Sequence, residues 1–156
     1  MDQKQFTNLY REFLPELSKY LVRRVERSDV EDLASRVFEI AWQKRTQAPK
    51  GFELAWIYRI AGYVVANHRR AIASENNFLL RFRPADFSPS AEDLAVLDLD
   101  LSKAWAKLNA FEREIIALSA FESLSNLEIA QVLEISPNAV SQRLTKARAK
   151  LKQYLS

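Results

Sequence analysis

A pair of helix starts, at Ser125 and Ser136, constrains this chain more than any other feature of its sequence. Ser125-Asn126-Leu127-Glu128 fits a capping box, in which the serine hydroxyl accepts from the third amide of the helix and the glutamate reaches back to the serine amide. The short helix that follows carries Leu127, Ile129, Ala130 and Leu133, and Ala130 is small where two helices must approach closely. Glu134-Ile135 makes the turn. A left-handed backbone at Glu134 would cost about 1 kcal/mol, since glycine is the residue that suits it. Ser136 then caps a second helix, and Pro137 takes its first position, where a missing N–H removes no hydrogen bond. Val140, Leu144 and Ala147 fall inward at helical spacing. Asn138, Ala139, Ser141, Gln142, Arg143 and Lys146 are left on the outward, N-terminal half, beginning at Pro137. Two capped helices joined by so tight a turn form a helix-turn-helix, whose second helix enters the major groove of duplex DNA.

Charge supports that reading. The net charge is only +3, but residues 137–156 hold Arg143, Lys146, Arg148, Lys150 and Lys152 and no acidic residue. Over residues 94–136 the balance reverses, with Glu112, Glu114, Glu122, Glu128 and Glu134 against Lys103, Lys107 and Arg113. Basic charge gathered on one helix is what phosphate binding needs. Asn138 and Gln142 suit bidentate contact with adenine and Arg143 with guanine, whereas Arg148, Lys150 and Lys152 lie further back and suit phosphates. A small bundle with a solvated basic end is the plainer alternative. The two caps, the tight turn and the basic second helix favour DNA.

The remainder of the chain reads as all-α. Gly occurs twice and Pro five times in 156 residues, so long periodic stretches run with little punctuation. Phe6, Leu9, Tyr10, Phe13, Leu17, Tyr20, Leu21 and Val25 predict a helix over 4–27, with Pro15 placed to kink it. Ser28-Asp29 offers a cap for a second helix bearing Leu33, Val37, Phe38, Ile40, Ala41 and Trp42. Residues 44–52, with Pro49 and Gly51, read as a loop. A third helix follows over 53–73. Residues 76–93 break the pattern with Pro84, Ser88, Pro89 and Ser90 and read as a linker, apolar for one at Phe78, Leu79, Leu80, Phe82 and Phe87. Helices are then expected at 94–108, 110–122, 126–133 and 137–154. The organisation is a domain over 1–75, a linker over 76–93 and a domain over 94–156.

Several classes of function are disfavoured. There is no Cys and only one His, His68, so thiolate zinc sites, disulfides and His-based triads have no residues to use. No glycine-rich phosphate loop and no paired carboxylates with a plausible base stand out, so no bond chemistry and no cofactor or metal is expected. No apolar run nears the roughly 20 residues that span a bilayer, and the N-terminus lacks a signal-peptide pattern. A cytoplasmic protein without membrane insertion is expected.

Leu124-Ser125-Asn126-Leu127-Glu128-Ile129-Ala130-Gln131-Val132-Leu133, then Ile135-Ser136-Pro137, Val140, Arg143-Leu144 and Ala147-Arg148, resembles region 4 of bacterial sigma factors. Leu108 with Arg113-Glu114-Ile115-Ile116-Ala117-Leu118 fits the start of that region. Val30-Glu31-Asp32-Leu33 with Val37-Phe38 and Ala41-Trp42, and Trp56-Ile57-Tyr58-Arg59-Ile60-Ala61 with Asn67-His68-Arg69-Arg70, are similar to region 2. Two such regions joined by a linker resemble the extracytoplasmic-function group of the sigma-70 family. The resemblance implies a subunit that binds core RNA polymerase, directs it to promoters and helps melt promoter DNA. It implies that Asp29, Glu31, Asp32, Arg36 and Glu39 meet the clamp helices of the largest polymerase subunit. It also implies that Pro137, Asn138, Ala139, Ser141, Gln142, Arg143, Lys146 and Arg148 read the minus-35 element, with the polymerase flap as a further partner. Lys44, Arg45, Lys50 and Phe52 are then placed like the family's base-capturing loop. Arg59, Tyr63, Asn67, Arg69 and Arg70 would contact the minus-10 element, Tyr63 by stacking on a base. Trp56 reads as core, and His68 as a DNA-side or surface polar group. An anti-sigma factor is an implied partner. A stand-alone regulator that binds its operator without polymerase would use the same helix-turn-helix.

Overall fold

The computed structural model describes residues 1–76 and 99–156, and the chain divides into two compact units, Met1–Ala85 and Asp86–Ser156. The expected linker therefore lies outside the described residues, apart from Asn76. All regular structure among the described residues is helical.

In the first unit α1 spans Gln3–Val22, α2 spans Arg27–Gln43 and α3 spans Glu53–Asn76. Asp2 caps α1 through a capping box with Gln5, a start the apolar pattern alone places one residue late. The helix continues through Pro15 and stops at Val22, five residues short of the expected end. The stop has a visible cause. The amides of Arg24 and Val25 both donate to the Leu21 carbonyl at 2.9 Å. The buried Arg24 guanidinium folds back to donate to the Tyr20 carbonyl at 2.9 Å and lies 3.6 Å over the Tyr20 ring. The start of α2 moves accordingly. Its N-cap is Glu26 and makes no side-chain cap, so the cap expected at Ser28-Asp29 does not form. Leu17, Leu21, Val37, Ile57 and Ala61 are fully buried between the three helices. Burial of apolar side chains like these, worth roughly 1.5–3 kcal/mol each, is what holds the unit together. Trp56, at 7% exposed, is core as expected. Phe6 and Tyr10 of α1 meet Phe38 and Trp42 of α2 edge to face, with centroids 4.7 to 6.4 Å apart. The third helix runs past the expected residue 73 and takes in Asn76, which the linker reading had assigned to the connection.

In the second unit α4 spans Leu99–Lys107, α5 Ala110–Ala120, α6 Asn126–Leu133 and α7 Pro137–Leu155. The expected start of α4 lies outside the described residues. Asn109 opens α5 with a capping box closed by Glu112. That helix ends two residues early because the Glu122 amide turns back to Ala117 and the Leu124 amide to Leu118, with Ser123 at φ 58°. The Ser125–Glu128 capping box forms as read from the sequence. Glu134 sits at φ 56°, ψ 42°, the left-handed region, and the Ile135 amide closes the turn on the Ala130 carbonyl at 3.3 Å. Ser136 caps α7 by accepting from the Ala139 amide at 3.0 Å. Val140, Leu144 and Ala147 are buried, as are Ile115, Leu118 and Ile129, and together they form part of the unit's core.

Candidate nucleic-acid interface

Burial of Val140, Leu144 and Ala147 turns the opposite face of α7 outward. Pro137, Asn138, Ser141, Gln142, Arg143, Lys146 and Arg148 are all exposed, and Ala139 is half-buried. Helix α5 crosses α7 and ties it on both flanks. On one flank the Lys150 ammonium meets a Glu112 carboxylate oxygen at 2.7 Å, and the Arg143 guanidinium carbon lies 5.2 Å from the centroid of the Phe111 ring. On the other, Arg148 donates to the Ser119 hydroxyl at 2.9 Å. Desolvation pushes the Glu112 carboxyl up. The hydrogen bonds from Lys150 and from the Asn109 amide, with the charges of Lys150 and Arg113, outweigh it and hold the carboxyl below its ordinary value. The Lys150 ammonium is raised, first by its hydrogen bond to Glu112 and then by that carboxylate's charge. Lys146 and Lys152 have no such partner among the described residues. Arg148 and Lys150 are thus less available to phosphates than their place in the sequence suggests.

The loop before α3 is shaped by one glycine. Gly51 sits at φ +85°, a conformation that L side chains rarely adopt, and its amide donates to Glu53 at 2.9 Å. A 3₁₀ turn at Arg45–Gln47 leads into it. Arg45 lies 3.9 Å over the Trp42 ring and donates to the Trp42 carbonyl at 2.8 Å, so its head is held by its own neighbour. Phe52 is half-buried, and its carbonyl accepts from the Trp56 amide, while Lys44 and Lys50 are exposed. Between this loop and the N-terminal half of α1 lies an open pocket of about 680 Å³, lined in part by Asn8, Glu12, Arg45, Thr46 and Lys50.

Along α3, Tyr63 is 55% exposed, and Asn67 and Arg70 are exposed and hydrogen-bonded to each other. Arg59 is half-buried. Two residues sit differently from their sequence reading. Arg69 donates to the Arg24 carbonyl at 3.0 Å, which ties α3 to the turn between α1 and α2. His68 lies 3.2 Å from an Asp29 carboxylate oxygen, so the lone histidine bridges α3 to α2 where a DNA-side or surface position was expected. Asp29 is shared in the same way, whereas Glu31, Asp32, Arg36 and Glu39 are exposed on α2 with no partner among the described residues. These bridges join residues 39 and 45 apart in the chain and leave no periodic trace. The Asn67–Arg70 bond and the stacking of Arg45 on Trp42, each three residues apart, are contacts that sequence spacing could have suggested.

Comparison with known proteins gives the arrangement relatives. Residues 9–74 match the family described as Sigma-70 region 2, and residues 98–151 match Sigma-70, region 4. Over 142 residues the chain is 31% identical to RNA polymerase sigma factor NccH of Alcaligenes xylosoxydans xylosoxydans, covering 84% of this chain and 75% of that protein. Among solved structures, CnrH in complex with the cytosolic domain of CnrY is 26% identical at TM-score 0.66, covering 99% of this chain and 89% of that one. The sigma factor RpoE in complex with the anti-sigma factor NepR, from Bartonella quintana, shares the fold at TM-score 0.69 and 24% identity, over 97% of each chain. No helix among the described residues is long and apolar enough to cross a membrane.

Proposed function

The chain belongs to the sigma-70 family of RNA polymerase sigma factors, in its extracytoplasmic-function group, and from that premise we propose how its residues divide the work. It binds core RNA polymerase, directs it to specific promoters and helps open them. Residues 94–156 take the minus-35 element, residues 1–75 take polymerase and the minus-10 element, and 76–93 join them. The observation that carries the DNA half of this reading is α7, which buries Val140, Leu144 and Ala147 and leaves Asn138, Ser141, Gln142, Arg143 and Lys146 exposed together. Side chains on that face reach base edges in the major groove, and Arg148, through the N–H groups not given to Ser119, meets a phosphate beside it.

Downstream, Tyr63 supplies a ring for an unstacked base, and Asn67, Arg70 and Arg59 lie along the same helix for the separated strand. The loop with Lys44, Lys50 and Phe52 receives a flipped base, its glycine turn holding the shape. Arg45 and Arg69 act less directly. Their guanidinium groups are used on Trp42 and on the Arg24 carbonyl, and they keep the loop and α3 in place. Glu31, Asp32, Arg36 and Glu39 offer α2 an exposed polar face for the polymerase clamp, with Asp29 shared between that face and His68. Polymerase supplies catalysis, and this chain contributes address and strand separation without bond chemistry of its own, in the cytoplasm. An anti-sigma factor is a further partner, in keeping with the complex formed by RpoE and NepR.

In vitro transcription over a promoter library tests the assignment. Initiation at defined promoters is expected only when the protein accompanies core polymerase, and duplex binding by the protein alone is expected to be weak in a gel shift. Initiation no better with the protein than without it would overturn the reading. Tight operator binding without polymerase would point to a stand-alone regulator.

A further inference from the structure

Arg143 is exposed on α7, yet its guanidinium is laid 5.2 Å from the centroid of Phe111, an aromatic residue on the first turn of α5. Phe111 is itself 38% exposed, so its ring is not closed into the core and is open to the Arg143 side chain. The platform beneath it is stiff. The Asn109–Glu112 capping box fixes the first turn of α5, and the next residue along, Glu112, holds Lys150 at 2.7 Å. Arg143 and Lys150 are seven apart and share one flank of α7, so two adjacent residues of α5 hold two cations of the same stripe.

From this geometry we propose that Phe111 is a positioning residue for promoter reading: its ring holds the Arg143 guanidinium in place for a base edge in the major groove. The proposal rests on the reading of α7 as the promoter-reading helix. Two physical effects support it. A cation over the face of an aromatic ring, within about 6 Å of the centroid, is attracted by the ring quadrupole. Bidentate recognition of guanine also demands a set direction of the planar guanidinium, and a side chain already laid against a ring loses less rotamer freedom on docking. Phe111 contributes no hydrogen bond to DNA in this scheme and acts through Arg143.

The test uses holoenzyme assembled from core polymerase and the full-length chain, with selection and sequencing of bound promoter DNA. Four variants are compared with the parent: Arg143→Ala, Phe111→Leu, Phe111→Trp and the Phe111→Leu, Arg143→Ala double. Leucine keeps the apolar bulk and removes the quadrupole, while tryptophan keeps a cation-binding face. The expected result is that Phe111→Leu relaxes base preference about two- to five-fold, at the same base pair that Arg143→Ala relaxes. Phe111→Trp is expected to retain that preference, and the double variant to show no loss beyond Arg143→Ala. A merely structural role would lower thermal stability without moving preference at one base pair. An unchanged preference in Phe111→Leu, a change at a different base pair, or a further loss in the double variant would overturn the proposal. Should Phe111→Leu fail to fold, relaxed preference in a stably folded Phe111→Trp overturns it equally. If Arg143→Ala changes preference at no base pair, the reading of α7 fails and takes this proposal with it. If Arg143→Ala does so and Phe111→Leu does not, only the role of Phe111 fails.

Discussion

Glu112 closes two structures with one carboxylate. One oxygen accepts from the Asn109 amide at 2.9 Å and completes the cap of α5, and the other meets Lys150 of α7 at 2.7 Å. Its carboxyl is held below the ordinary value of 4.5. A lowered folded-state pKa fixes the sign. The stabilisation is fully present above the unfolded value and is lost as pH falls through the folded one. Glu112→Gln is therefore expected to be less stable than the parent at neutral pH, with the gap closing as the medium is acidified well below 4.5. Thermal unfolding across that range measures it, and a gap that stays constant would assign the loss to packing and not to charge. At the same scale, Glu134 stands at φ 56° where glycine would be unstrained, a penalty of about 1 kcal/mol that the turn of the helix-turn-helix carries.

At the scale of the element, α7 divides its cations into held and open. Lys150 is neutralised by Glu112, whereas Lys146 has no partner among the described residues. Each phosphate neutralised by a protein cation adds about 0.9 to the slope of log K against log salt. Lys146→Ala is accordingly expected to lower that slope by about 1 on minus-35 duplex DNA, and Lys150→Ala by clearly less. Fluorescence anisotropy over a salt series reads both, and equal drops would contradict the division. The elements themselves were largely legible in the sequence, for local reasons. Ser125, Glu128, Ser136 and Pro137 carry the chemistry of their own helix ends, and Val140, Leu144 and Ala147 write their burial at 3.6-residue spacing. What was not legible is tertiary. The early stop of α1 depends on Arg24 finding the Tyr20 ring, and the turn after α5 on Ser123 adopting a positive φ that serine does not advertise. The bridges of His68 to Asp29 and Arg69 to Arg24 reassigned two residues read as facing DNA or solvent, because no local pattern records what a side chain meets across the fold.

At the scale of the whole molecule, the two proposed DNA-contacting surfaces lie on separate compact units and share no residue. Substitutions in one should therefore leave the other's contribution intact. Tyr63→Ala is expected to weaken open-complex formation by the value of one base stack, about 1–3 kcal/mol. Its effect should add to that of Arg143→Ala in the double variant, with permanganate reactivity of melted promoter as the readout. A marked departure from additivity would mean that the surfaces do not act separately. The tying of Arg148 and Lys150 by α5 has a further consequence, for how long this protein stays on DNA. A reader with part of its positive charge engaged inside its own fold grips phosphates less, and leaves random sequence sooner, than its count of cations suggests. Two such contacts on one chain gain avidity only when a frame holds both at the right spacing, so that binding by one raises the effective concentration of the other. Tenacity then belongs to the assembled complex, and dissociation from polymerase is enough to clear the promoter of this chain.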